Sequence, residues 1–158
     1  MRDFLLDLLL DLDGVRQDPR HHPEGDALFH ALQVFDLARR DTRDADLLAA
    51  ALFHDVGKAI DPRNHEDVGA DALDGVLSRR AVWLVRRHMD LLRDPRGARQ
   101  MFHGTSTLRD LEQLRRWDLR GRNPRARTLD PVDALDLLLD HPDLRALTGD
   151  DAHDQEID

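Results

Sequence analysis

Nine histidines in 158 residues matter only if the chain can bring some of them together. Six positions have side chains suited to holding a metal: His30, His54, Asp55, His65, His88 and Asp118. Imidazole nitrogens and carboxylate oxygens without sulfur suit iron, manganese, cobalt, nickel or zinc rather than calcium. Six ligands exceed the needs of one tetrahedral ion, so one or two divalent transition-metal ions are expected. A carboxylate between two ions can bridge them, and Asp55 is the candidate. Lys58 lies one turn beyond His54, so its ammonium could reach an oxyanion held there. The plainer role for it is a solvated lysine favoured by the helix macrodipole. Arg120 and Arg122 follow Asp118 and could grip phosphate oxygens as guanidinium forks, with solvated surface arginines as the competing reading. His22 is a candidate substrate contact at the pocket mouth, whereas Glu24 and Asp26 read as loop and helix-start residues. His21, His103, His141 and His153 fit no ligand pattern and are expected at the surface; Trp83 and Trp117 read as core or rim residues.

The elements that must position these groups are helices. Leu, Ala, Arg and Asp dominate, tyrosine is absent and β-branched runs are nearly missing. Residues 26–39 place Leu28, Leu32 and Phe35 on one helical face, with His30 in the same helix. Residues 44–57 form a helix with Asp44 at its N-cap and Gly57 as its stop, carrying His54 and Asp55 in the last turn. Further helices are expected from His65 to Leu77, over 79–91 and over 106–119. For the helix over 106–119, Ser106 or Thr107 is the expected cap and Gly121 follows the end. A last helix starts with Asp130 at N-cap and Pro131 at N1. The fold class is therefore all-α, a single-domain helical bundle.

Composition narrows the function. With no cysteine, disulfides, thiolate zinc sites, iron–sulfur clusters and cysteine nucleophiles are excluded. A formal charge of −9 disfavours an extended, sequence-independent grip on nucleic acid, but leaves room for a small anionic substrate in a local basic pocket. The apolar start MRDFLLDLLLDLDG is interrupted by aspartates and too short to span a bilayer, so it reads as an amphipathic core helix. A cytoplasmic protein without membrane attachment is expected. Residues 1–148 are assigned to one domain, and 149–158 to an acidic tail whose composition predicts disorder.

The order His30, His54-Asp55, Asp118 resembles the H…HD…D signature of the HD superfamily of helical metal-dependent phosphohydrolases. His65 and His88 between the HD pair and the final Asp resemble the variant that holds two metals. The segments HPEGDALFHALQVFDLA, LAAALFHDVGK, NHEDVGADAL and WDLRGR are similar to consecutive motifs of the HD domain of bacterial CCA-adding tRNA nucleotidyltransferases, over about residues 20–125. The nucleotidyltransferase head, with its paired catalytic carboxylates on strands, is not seen in the sequence, so it reads as a stand-alone HD domain from which nucleotide addition to tRNA is not inferred. The Gly-Tyr-Pro signature of cyclic-di-GMP phosphodiesterases is also missing.

The resemblance implies hydrolysis of a nucleotide or similar phosphoester, either a phosphomonoester or a 2′,3′-cyclic phosphodiester, by metal-bound hydroxide. Asp55 would bridge, and Lys58 with an arginine would stabilise charge on the phosphoryl oxygens. Two alternatives use the same residues: a mixed-valent di-iron oxygenase of the HD type, and a non-catalytic nucleotide-binding module.

Overall fold

Aspartate, serine and threonine side chains set where the helices begin. In the computed structural model, which describes residues 1–144, Asp26, Asp44, Ser78, Asp94, Thr105 and Asp130 each accept a backbone N–H from the first turn of the helix that follows. The helices are α1 (Arg2–Leu10), α2 (Ala27–Asp41), α3 (Ala45–Phe53), α4 (His65–Leu73), α5 (Arg79–Arg87), α6 (Asp90–Arg93), α7 (Pro95–Met101), α8 (Ser106–Arg120) and α9 (Pro131–Leu139). A 3-10 turn, Val56–Ala59, joins α3 to α4. There is no strand among the described residues, only an isolated bridge between Arg16 and Asp26. No helix of the described residues is long and apolar enough to cross a membrane.

The sequence ADLLAAALF makes α3 apolar on nearly every side, and a helix of that kind belongs in the centre. There α2, α5, α8 and α9 pack around it, and Ala49, Ala50 and Ala51 are buried to 1% exposure or less. One apolar cluster runs from Leu5 to Leu144. The N-terminal helix contributes Leu5 and Leu9 to it, lies on α9, and is tied down by Arg2 donating to Asp136 at 2.7 Å. Trp117 is fully buried, with its indole N–H donated to Asp41 at 2.8 Å, while Trp83 sits at the rim, edge-on to Phe102.

Several boundaries differ from those expected. The helix carrying the HD pair ends at Phe53, and Gly57 is not its stop but a close-approach residue. A Cβ at position 57 would lie 1.9 Å from the His65 carbonyl oxygen and 2.8 Å from the Gly69 nitrogen. The turn therefore lies backbone-to-backbone on α4. The next helix ends at Leu73 rather than Leu77, before Gly75 at φ +74°. The segment expected over 79–91 breaks at His88, and the short helices α6 and α7 follow. Thr105, one residue before the expected caps, is the cap of α8. The expected acidic tail, with His153, lies outside the described residues.

Candidate metal centre

The four central imidazoles share one wiring pattern. Nδ1 of His54 faces the Ala51 carbonyl at 3.0 Å, that of His88 the Val85 carbonyl at 2.6 Å, and that of His65 the Pro62 carbonyl at 3.2 Å. His30, from α2, sets its Nδ1 2.8 Å from the carbonyl of Gly121, just past α8. A carbonyl oxygen can only accept, so each Nδ1 carries a proton. Nε2 of His54, His65 and His88 is left to present its lone pair inward, while Nε2 of His30, 3.0 Å from Asp118 Oδ1, carries a second proton that a metal would replace. In metal sites the ligand imidazoles are oriented in this way.

The Nε2 atoms converge on Asp55. Its Oδ2 lies 3.4 Å from His54 Nε2 and 3.8 Å from His30 Nε2. Its Oδ1 lies 3.3 Å from His65 Nε2 and 3.5 Å from His88 Nε2. Asp118 adds Oδ1 at 3.0 Å from His30 Nε2 and 3.9 Å from His54 Nε2. The six expected ligands are thus brought together, all less than a tenth exposed. They fall into two sets, His30–His54–Asp55 joined by Asp118, and Asp55–His65–His88, with Asp55 common to both.

The donor set fits metal ions. His65 Nε2 and His88 Nε2 stand 3.2 Å apart, lone pair against lone pair, and His54 Nε2 is buried with no hydrogen-bond partner. Buried acceptors facing acceptors are costly unless a cation lies between them. With ~2.0–2.1 Å metal–nitrogen bonds, neighbouring donors on one ion lie roughly 3 Å apart.

Around this core lie groups the sequence identified in part. Lys58 donates to Asp55 Oδ2 at 2.6 Å and to Gln17 Oε1, which ties the ammonium to the centre. Arg122 reaches Asp118 Oδ1 at 3.7 Å and donates to the His21 carbonyl at 2.9 Å. His22 stands edge-on to His30, with ring centroids 4.9 Å apart. Arg120 is not brought to the ligands: it is exposed and lines a separate groove with Gln33 and Arg40. His21 and His103 are exposed, and His141 is half-buried.

Two groups were missed. Arg115, three residues before Asp118 on α8, donates to its Oδ2 at 2.8 Å, a pairing that helical i,i+3 spacing would have revealed. Glu24 was read as a loop residue, yet its side chain is fully buried. Its Oε1 lies 2.8 Å from His22 Nδ1 and 2.9 Å from His30 Nδ1. Burial opposes its charge, but hydrogen bonds to His30 and His22 outweigh that and hold its pKa below the usual value. The signal was there in HPEGD, a carboxylate two residues from one histidine and six from another. Glu24→Gln is expected to weaken metal affinity ~10–100-fold, read by competition with a chelator, while His30 keeps its bond to Gly121. Unchanged affinity would make Glu24 a packing residue only.

The protons follow from the charges. Burial works against an imidazolium at His30, but hydrogen bonds to Asp118 and Glu24 and the charge of Asp55 prevail and raise its pKa from 6.5 to about 9. Burial likewise opposes charge on Asp55 and Asp118. The imidazole of His54 and the ammonium of Lys58 keep Asp55 well below the carboxylate range, and His30 with His54 does the same for Asp118. In the metal-free protein, the raised His30 pKa contributes stability that is full below about 6.5 and is lost as pH climbs through about 9. A metal must displace that proton, so its apparent affinity is expected to rise with pH, up to ~10-fold per unit, and to flatten above about 9. Metal titrations from pH 6.5 to 9.5 test this; a flat profile would contradict it.

Fold and site together define an all-α domain with a buried histidine–aspartate cluster able to hold metal. The family model for the HD domain matches residues 28–138, and the chain belongs to that family, one of metal-dependent phosphohydrolases. Among curated proteins it is similar to the multifunctional CCA protein of Methylococcus capsulatus, 47% identical over 75 residues that cover 43% of this chain and 18% of that one. The multifunctional CCA protein of Halorhodospira halophila is 35% identical over 123 residues, covering 65% of this chain and 30% of its own. That of Hahella chejuensis is 36% identical over 75 residues, 43% of this chain and 18% of its own. The chain thus spans less than a third of the length of these relatives.

Proposed function

We propose that the protein hydrolyses a phosphoester, a nucleotide phosphomonoester or a 2′,3′-cyclic phosphodiester, at a centre formed by His30, His54, Asp55, His65, His88 and Asp118. The observation that carries this reading is Asp55, whose two oxygens face two separate imidazole pairs while Lys58 holds its Oδ2 at 2.6 Å. Divalent ions bound at these donors would supply Lewis acidity toward a phosphoryl oxygen and an acidified water as nucleophile. The chain's own part is to orient and to balance charge. The four backbone carbonyls fix the imidazoles, and Asp55 ties the two ligand sets together.

Lys58 and His22 line an open cavity of about 270 Å³ with Arg16, Gln17 and Pro62, and this is the assigned entrance for substrate. There the Lys58 ammonium would receive a phosphoryl oxygen in exchange for one of its present acceptors, and Arg122 would balance charge on the side of Asp118. Lys58→Ala is therefore expected to lower kcat/KM ~100-fold or more with metal content retained; full activity would remove Lys58 from the site.

The deciding assay supplies iron, manganese, cobalt, nickel or zinc with p-nitrophenyl phosphate, 2′- and 3′-nucleotides and a 2′,3′-cyclic nucleotide, and records phosphate or alcohol release beside oxygen uptake. Metal-dependent release without oxygen consumption is expected. Iron-dependent oxygen uptake would move the protein to the oxygenases. Nucleotide binding without turnover under any of these metals would make it a binding module.

A further inference from the structure

The carbonyls that orient the four imidazoles come from two sources. His54 and His88 each close a helix and each takes the carbonyl three residues back, Ala51 and Val85, so α3 and α5 orient them unaided. His30 and His65 lie in the first turns of α2 and α4, and their Nδ1 protons go to carbonyls outside those helices, Gly121 and Pro62. Each of these two also has a buried glutamate beside it. Glu24 Oε1 lies 2.9 Å from His30 Nδ1, and Glu66 Oε2 lies 3.5 Å from His65 Nδ1.

The plain reading of Glu66 is an acid favoured by the macrodipole in the first turn of α4, which suits its neighbour Asp67. Exposure separates the two. Asp67 is exposed, whereas Glu66 is 5% exposed, and an acid that only serves a helix dipole has no need to leave water. Glu66 Oε1 accepts from Arg93, the last residue of α6. Its Oε2 is buried with no hydrogen-bond partner among the described residues, so His65 Nδ1 has two acceptors near it, the Pro62 carbonyl at 3.2 Å and this oxygen. A buried carboxylate oxygen without a donor is costly, and the cost falls when a neighbouring N–H becomes more positive. A cation at His65 Nε2 has that effect on the Nδ1 proton, and a carboxylate behind a ligand imidazole in turn raises the ring's basicity.

We propose that Glu66 is a positioning residue of the Asp55–His65–His88 set: Arg93 fixes one carboxylate oxygen and the other backs the His65 ring, so that the affinity of this set alone depends on it. Arg93 lies five residues beyond His88, so the same carboxylate ties the helix that opens with His65 to the segment that follows His88. The proposal rests on the metal centre and not on the reaction carried out there.

The test is competition for zinc between a chelator and four proteins: wild type, Glu66→Gln, His65→Ala/His88→Ala, and the variant combining all three changes. Glutamine keeps the size, but Arg93 claims its one oxygen, which leaves an amide NH₂ facing the N–H of His65. Glu66→Gln is expected to weaken one of two binding steps ~10–100-fold and to leave the other at its wild-type value. The unaffected step should be the one that survives in His65→Ala/His88→Ala, and adding Glu66→Gln there should not change it. Two unchanged steps in Glu66→Gln overturn the proposal and leave the metal centre intact. A weakened surviving step in the combined variant also overturns it, because the carboxylate would then act on the fold as a whole. A wild type that binds one ion or none overturns the division of the centre and the proposal together. Because the readout is binding, a protein that turns over nothing can still pass or fail it.

Discussion

Gly57→Ala is expected to destabilise the protein by ~3 kcal/mol or more, lowering the thermal midpoint by roughly 6–12 °C. The added Cβ would stand 1.9 Å from the His65 carbonyl oxygen and 2.7 Å from its carbon, atoms that no rotamer change can move aside. Relief requires the 3-10 turn and α4 to separate, and those two elements position Asp55 and His65. The same variant should therefore lose occupancy at the Asp55–His65–His88 set. The comparison is Gly75→Ala: it too replaces a glycine, at φ +74°, but its Cβ meets nothing within 4 Å. A Gly57→Ala protein as stable as wild type would mean that the turn does not need its close approach to α4.

Asp55→Asn is expected to reduce phosphoester turnover roughly 10³-fold or more. The amide keeps the shape but not the charge, and its nitrogen half would present hydrogens to one imidazole pair. Which half matters little, since Oδ1 faces His65 and His88 while Oδ2 faces His54, His30 and Lys58. The contrast is with Lys58→Ala, expected to cost turnover but not metal. An Asp55→Asn protein that keeps both its metal and its rate would remove the carboxylate from the chemistry.

What could be read from the sequence followed from chemistry tied to residue type. Asp44, Asp130 and Pro131 marked helix starts correctly because capping is local. His30, His54, Asp55, His65, His88 and Asp118 could be singled out because their donor types suit a metal and their order resembles the H…HD…D signature. What escaped was set by contacts distant in sequence. Gly57 has the composition of a helix stop, and only the position of α4 reveals its other role. Glu24 looks like a loop residue until His30, one turn into α2, is seen beside it. Arg120 follows the last ligand by two residues, about 200° around the helix, and so faces a different groove. The break at His88 was hidden because its side chain, not a glycine or proline, caps α5 by binding the Val85 carbonyl.

The most direct test counts metal in protein purified without a histidine tag or chelator and then reloaded. About two ions per chain are expected for wild type and about one for the His65→Ala/His88→Ala variant, since His30, His54, Asp55 and Asp118 remain. A wild-type protein that takes up no metal, or a double variant that still holds two ions, would contradict a centre divided at Asp55.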